Sequence, residues 1–331
     1  MRAVVVSEFG GPEQLELIEV PDPEAGPGQV LIAVEAAGVN RADVLARSGN
    51  YHRAGKPPLL LGLEGAGTIA ALGEGVTGFA VGQRVLAAGA TNDPGFYAEL
   101  AAVPATQVVA VPDGVDLQSA ATLPSAWLSA WYCLHRLAEV KQGETVLIHA
   151  GASGVGSAAV QIALDAGATV IATASTPEKR DWVLALGAHH VVDSTSDVVA
   201  AVAEVTGGRG ADIVLDTVGG PVFADSLRIA AYAGRVVALA NVAVAPSTID
   251  TRDFYPKNVR ILGFQITALI EHGYDSRPDL EELLKAVAKG RFTVPIDAVF
   301  PLSEVDEAHR HLEQRANRGK VVLGIRLTDD R

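Results

Sequence analysis

Apolar positions in this chain fall into two kinds of pattern. Through residues 1–122 they come as short segments broken by glycine and proline. Residues 2–6, 15–20, 30–35, 67–72, 84–87 and 108–111 read as strands, and the cluster PDPEAGPG at 21–28 is the turn between two of them. This predicts a mostly-β domain, a partly open barrel. The apolar segment 123–138 then reads as a helix leading into a second region, where β-branched runs alternate with helix-length segments. Runs at 146–148, 169–174, 190–193, 211–216, 234–239 and 260–264 predict six strands, with helices over 177–186, 198–206 and 222–229 between them. Such strands are continuous apolar runs because both faces are buried, so the pattern predicts a doubly wound parallel sheet. Beyond it, 278–289 and 303–314 read as amphipathic helices, the latter with Ser303 and Asp306 near a capping box. Residues 320–325 read as a closing strand that returns to the first domain. The resulting division is 1–122 with 267–331, and 123–266. The fold class is α/β.

The first strand of the second region ends in Gly151–Ala152–Ser153–Gly154–Val155–Gly156, and a small-residue helix follows. Strand, glycine turn and helix start together present backbone amides and a positive helix end to a pyrophosphate. Ser153 stands where a dinucleotide fingerprint has its second glycine. Gly151, Ser153, Gly154 and Val155 are the candidate pyrophosphate residues.

The second strand ends in Ala174–Ser175–Thr176, followed by Lys179 and Arg180. An NAD site usually carries Asp or Glu about 20 residues past the glycines to hold the ribose hydroxyls. Hydroxyls and cations in its place favour a 2′-phosphate, so NADPH is the expected cofactor, with Ser175 and Lys179 at its phosphate. Val218, Ala240, Asn241 and Phe264 follow later strands and are expected to border the nicotinamide half. Ser125 and Ser129, on the 123–138 helix, are placed to reach the carboxamide or a phosphate.

A net charge of −13 argues against a nucleic-acid partner. No apolar run approaches the ~20 residues of a membrane span, and the N-terminus lacks a signal-peptide pattern, so a cytoplasmic protein is expected. The one cysteine, Cys133, excludes an internal disulfide and a Cys-rich zinc site, and it reads as a core residue. The eight histidines show no metal spacing. His149, at the end of the first strand, reads as a backbone-orienting residue.

Five longer stretches carry a resemblance. These are AAGVNRADVLARSGNY (36–51), LGLEGAGTIAALGEGVTGFAVGQRV (61–85), GFYAEL (95–100), LPSAWLSAWYCL (123–134) and HAGASGVGSAAVQIA (149–163). Together they resemble the medium-chain dehydrogenase/reductase superfamily, and within it the zinc-free, ζ-crystallin-like quinone oxidoreductases. Gln83 and Ser129 depart from that group's usual Asp and Thr. The resemblance implies a GroES-like catalytic domain, a Rossmann domain and an active site in the cleft between them. It also implies a homodimer, often through edge strands, for which 259–264 is the candidate here. The catalytic-zinc positions of zinc-dependent relatives hold Asn40 and the Gly62–Leu63–Glu64 run, and the four-cysteine lobe is missing, so no metal is expected. Some relatives carry a Tyr near the adenosine phosphate where this chain has Ser194.

Reduction of a quinone or an α,β-unsaturated ketone builds negative charge on a carbonyl oxygen, and without zinc hydrogen-bond donors must meet it. Asn40 and Tyr51 match positions that face nicotinamide and substrate in the resembling group, and both are expected to be catalytic. Asn40 is also a candidate cofactor contact. Asp43 reads as a cap for the following helix, and Tyr97 as a packing residue. The alternative activity is an enoyl reductase acting on enones or enoyl thioesters. A hydrolase is disfavoured, since GxSxG fails at Val155. A short-chain reductase is disfavoured, since no Tyr-x-x-x-Lys is present. A non-catalytic binding protein is disfavoured by the intact glycine turn.

Overall fold

A computed structural model of the chain describes residues 1–89 and 95–326. Contacts divide it into two compact units, Met1–Leu128 together with the segment from Leu269 onward, and Ser129–Ala268.

The first unit opens with β1 (Arg2–Val6), β2 (Leu15–Glu19), β3 (Gln29–Val39), β4 (Leu59–Leu60), β5 (Glu64–Leu72), β6 (Arg84–Ala88), β7 (Leu100–Pro104) and β8 (Val108–Ala110). One small sheet has the order β2-β1-β4. In the larger sheet β3 is central, pairing antiparallel with β5 and with β7. At eleven residues β3 is nearly twice the strand expected there, because its Ala-rich second half, AAGV, is drawn into the ladder by two neighbours. Helix α1 (Arg41–Arg47) follows it directly.

A helical stretch links the two regions. It consists of α2 (Leu117–Ala120), then Leu123–Trp127, α3 (Leu128–Trp131) and Tyr132–Leu137, with wider i→i+5 turns on both sides of α3.

The second unit holds β9 (Thr145–Ile148), β10 (Thr169–Ala174), β11 (His190–Asp193), β12 (Ala211–Asp216), β13 (Ala230–Ala238) and β14 (Arg260–Gly263). They form one parallel sheet of order β11-β10-β9-β12-β13-β14. Helices α4 (Gly154–Asp165), α5 (Pro177–Ala185), α6 (Val198–Val205) and α7 (Pro221–Ile229) connect them. The order in which successive strands are added reverses between β9 and β12, and in open α/β sheets the crevice past the strand ends at such a point receives the ligand. β13 starts four residues earlier than its hydrophobic run: Ala230 already pairs with Ala211, and a register shift precedes the main ladder.

After α8 (Ile266–Glu271) and α9 (Arg277–Ala288) the chain returns to the first unit. β15 (Ile296–Pro301) pairs parallel with β16 (Lys320–Gly324), and β16 pairs antiparallel with β3. The intervening helix α10 (Val305–Glu313) corrects one expectation. Ser303 is not its cap but part of a preceding tight turn, Leu302–Glu304, and no side chain caps α10. No helix among the described residues is long and apolar enough to cross a membrane.

Candidate active site

The glycine turn is built from the ends of β9 and β10. The Gly151 amide donates to Thr173 O at 2.8 Å and the Ala150 amide to Thr173 Oγ1 at 3.1 Å, which tie the turn to the neighbouring strand. Ser153 is the N-cap of α4, its hydroxyl accepting the Gly156 amide at 3.0 Å, and the Ser157 amide goes to Ser153 O. A helix leaves its first amides without intrahelical partners. Once Ser153 has taken its share, those of Gly154 and Val155 remain, and neither bonds a group among the described residues. A Cβ on Gly156 would lie 2.2 Å from Ala150 O, so the helix start can press on the turn only because that position is glycine. Ser153 Oγ thus accepts from the helix start and keeps its O–H proton to donate.

At the other end of the expected cofactor site, Ser175 is exposed and Lys179 half-buried beyond β10. Thr176 caps α5 through the Lys179 amide. A carboxylate from the neighbouring strand does stand close by. Asp193 at the end of β11 lies in register with Ala174 at the end of β10. Its oxygens are occupied: Arg180 Nη1 donates at 2.8 Å, and the Thr195 amide and hydroxyl at 2.9 and 2.7 Å. Those donors hold the Asp193 carboxyl below its usual range, the Thr195 hydroxyl contributing most. Arg180 also reaches Ser175 O at 3.3 Å. So Arg180 is matched to Asp193. Ser194 follows, exposed, its amide bonded to Ala174 O.

Beneath these loops lies a polar network that the sequence did not reveal. His149 is buried, with Nδ1 3.4 Å from Thr173 Oγ1 and Nε2 3.2 Å from Ser226 Oγ. Ser226 donates to Asp216 Oδ2 at 3.0 Å, and Asp216 Oδ1 accepts the amides of Val218 and Gly219 at 2.9 and 2.8 Å. Burial lowers the His149 pKa, so the ring is neutral and joins the glycine turn to the Val218 loop. Val218 O in turn accepts the Ala243 amide, and Asn241 closes that loop onto Ala245 O at 3.1 Å. Ala240 and Phe264 flank it past β13 and β14, and the Phe264 ring lies 5.6 Å from Tyr132. Ser129 is buried on α3. Cys133 is buried and unpaired, and burial pushes its thiol well above the usual range, against a nucleophilic role.

The first unit holds the remaining predicted residues, Asn40, Tyr51 and Ser125. Asn40 sits where β3 turns into α1, as its N-cap in extended conformation. Asp43 stands inside the first turn rather than ahead of the helix, and reaches back to accept the Asn40 amide at 2.9 Å and the Gly62 amide at 3.2 Å. Asn40, in a capping box with Asp43, has further side-chain partners of its own. Its Nδ2 donates to Glu64 Oε1 at 2.9 Å and lies 3.4 Å from Gly38 O, and its Oδ1 accepts from Lys320 Nζ at 2.6 Å. Lys320 pairs with Glu64 Oε1 at 2.8 Å, and Glu64 Oε2 accepts the Ser125 amide at 2.7 Å. The expected open amide is thus engaged on both ends. Only Gly38 allows this, since a Cβ there would lie 2.2 Å from Glu64 Oε1. Tyr51 is half-buried against the core of the unit, with its ring edge-on to His52 at 5.1 Å. No cluster of three or more His, Cys, Asp or Glu capable of holding a metal is found among the described residues.

Comparison with known proteins places these features in a family. Residues 26–113 match the alcohol dehydrogenase GroES-like domain, and residues 154–289 the zinc-binding dehydrogenase domain. A 2-haloacrylate reductase from Burkholderia sp is 35% identical over 98% of both chains. A quinone oxidoreductase from Pseudomonas aeruginosa is 34% identical over 97% of this chain and 99% of that one. The solved structure of a mycobacterial protein complexed with NADPH superposes with a TM-score of 0.91 at 36% identity, covering 98% of this chain and all of the other. The chain belongs to the zinc-free quinone oxidoreductases of the medium-chain dehydrogenase/reductase superfamily. It is an oxidoreductase with a dinucleotide-binding fold. Membership makes sense of the first unit: where zinc-dependent superfamily members carry metal ligands, this one brings Asn40 and Glu64 against the ammonium of Lys320. Lys320, 280 residues from Asn40, was not singled out by its sequence context, a basic residue opening a strand.

Proposed function

We propose that the protein is a zinc-independent, NADPH-dependent reductase that transfers hydride to a quinone or a conjugated carbonyl compound. The observation that carries the reading is the donor set at the two ends of the second unit's crevice. Two uncommitted amides, Gly154 and Val155, stand at a helix N-terminus pressed tightly on its turn. Lys179, with the hydroxyls of Ser175 and Ser194, stands where an NAD site would carry an acid, and the nearby Asp193 is neutralised by Arg180. Such a set fits a pyrophosphate at one end and a 2′-phosphate at the other.

Bound NADPH supplies the hydride. Gly151, Gly154 and Val155 would fix the pyrophosphate, with Ser153 holding the helix start that presents them. Val218, Ala240, Asn241 and Phe264 would wall the nicotinamide half, and the His149–Ser226–Asp216 network keeps the Val218 loop in register with the glycine turn. Asn40 would donate from Nδ2 to the substrate oxygen as charge develops on it, or to the cofactor. Tyr51 would supply a second donor and the proton. Ser125 and Ser129 would contact the carboxamide or a phosphate. The partner is a small molecule. A net charge of −13 suits no nucleic acid. β14 edges the parallel sheet with Ile261 43% exposed, which supports a homodimer through that edge. A lone buried thiol suits the cytoplasm.

A second reading, reduction of a conjugated alkene, is favoured by the Burkholderia relative, whose name specifies an α,β-unsaturated acid as substrate. It requires protonation at the α-carbon. Oxidation of NADPH and NADH at about 340 nm, against 1,4-quinones, enones and enoyl thioesters, separates the readings. Quinone-dependent oxidation with NADPH strongly preferred is expected. Lys179→Ala should raise KM for NADPH on the order of tenfold and leave NADH nearly unchanged. Activity confined to the alkenes moves the protein to the second reading, and a preference for NADH overturns the phosphate-site assignment.

A further inference from the structure

An asparagine amide has two ends of nearly equal shape and opposite chemistry, and its neighbours decide which end faces which way. Around Asn40 those neighbours come from two strands distant in sequence, β5 and β16, and from the end of β3 itself. β16 brings Val321 opposite Val39 of β3, and β3 brings Ala37 opposite Gly65 of β5, so Lys320 and Glu64 meet at the end of β3. Glu64 is wholly buried and Lys320 is 3% exposed. The Lys320 ammonium has three donors and no acceptor, and three oxygens surround it: Asn40 Oδ1 at 2.6 Å, Glu64 Oε1 at 2.8 Å and Val39 O at 3.2 Å. The Glu64 carboxylate has only acceptors: Oε1 accepts from Lys320 and Asn40 Nδ2, and Oε2 accepts the Ser125 amide.

From this geometry we infer that Lys320 and Glu64 are positioning residues that lock the polarity of the Asn40 amide. A donor-only group must face its oxygen and an acceptor-only group must face its nitrogen. One N–H is thereby held by Glu64, and the other points along the long 3.4 Å contact to Gly38 O. At that length the second hydrogen is weakly held and transfers to a better acceptor at little cost. The ammonium on Oδ1 also draws electron density through the amide and strengthens that N–H as a donor. A buried cation therefore acts on the reacting oxygen through one side chain without touching it. The inference rests on the reading of Asn40 as the donor to that oxygen.

The test uses the charge-balanced double variant K320M/E64Q. Removing one charge alone strands the other in the interior and risks unfolding; the pair leaves together. In the variant the Ser125 amide claims the carbonyl of the new Gln side chain, whose NH2 then faces Asn40 and turns its oxygen round. The expected result is a cooperatively folded protein that binds NADPH within about threefold of wild type, while kcat falls on the order of a hundredfold. Wild-type kcat in a folded double variant overturns the inference. N40A is measured beside it. If N40A keeps wild-type kcat, the reading of Asn40 itself fails; if N40A loses kcat and K320M/E64Q does not, only the positioning role fails. Neutron diffraction from deuterium-exchanged wild-type crystals gives an answer independent of any variant. Two deuterons on the Asn40 atom facing Glu64 support the inference, and deuterons on the atom facing Lys320 refute it.

Discussion

Asp43 and His309 show how two buried groups in one chain of contacts titrate in opposite senses. Burial pushes the Asp43 carboxyl up to about 6, although the amides of Asn40 and Gly62 pull it down. Burial, followed by the nearby Arg47 and Arg41, pushes His309 down to about 3. Tyr97 stands between them, its hydroxyl 3.4 Å from His309 Nε2 and also engaging Asp43, with Arg47 Nη1 at 3.2 Å from His309 Nδ1. Arg47 only donates, so Nδ1 is bare and Nε2–H points to Tyr97. Between pH 4 and 6 the folded chain retains a proton on Asp43 that the unfolded chain has released, so this group's stabilisation falls as pH rises. Its size is about 3 kcal/mol by linkage. His309 does the reverse: the unfolded chain takes up a proton below about 6.5 that the folded chain refuses until about 3, so stability is lost as pH falls. Urea midpoints of wild type, D43N and H309Q from pH 4 to 7 should therefore diverge in opposite directions. The stability advantage of wild type over D43N should shrink toward pH 7, and that over H309Q should grow. Curves that stay parallel would refute both assignments. Neither residue's behaviour is readable from sequence, where Asp43 reads as an ordinary cap and His309 is one of eight histidines without metal spacing. Segments far apart in the chain made the difference, Tyr97 lying 212 positions and Arg47 262 positions from His309.

At the scale of elements, the turn from β9 into α4 makes separable demands on its residues. Ser153→Ala removes the N-cap and should cost about 1 kcal/mol of stability with little change in NADPH affinity, because the amides of Gly154 and Val155 remain. Gly156→Ala is a different lesion. Its Cβ would stand 2.2 Å from Ala150 O and 2.8 Å from Gly151 Cα, both backbone, so the helix start must move off the turn. NADPH affinity should fall on the order of tenfold or more, beyond what the stability loss explains. Cofactor titration by fluorescence with parallel thermal melts checks both, and a Gly156→Ala protein that binds as wild type would show that the close approach is not needed. The turn was legible in GASGVG because a strand must stop and a helix must start there. The second role of Ser153 was legible too, as a serine one residue ahead of a helix, but the fingerprint drew attention away from it. β15 went unread because IDAVFP is half-buried throughout and ends in proline, so it lacks both the alternation and the uniform apolarity that mark strands.

At the scale of the whole molecule, the proposed homodimer depends on β14, whose outer edge has no strand beside it in the six-stranded sheet. An exposed strand with Ile261 on it is a template for pairing. Light scattering should give the wild type a mass near twice the chain's 34.3 kDa, and Ile261→Asp should return it toward one chain. A wild-type monomer at tens of micromolar, on the order of working concentrations, would exclude the edge as an interface. The parallel sheet, the glycine turn, the nucleotide-binding class and the mostly-β character of the N-terminal region followed from sequence alone. Each rests on periodicity or on conformational demands local to a few residues, which a sequence records directly. What surrounds Asn40, how Arg180 is matched to Asp193, and how His149 joins two loops were decided only by tertiary structure. Those arrangements bring together residues 13 to 280 positions apart, and no local pattern in a chain reports which strands will lie side by side.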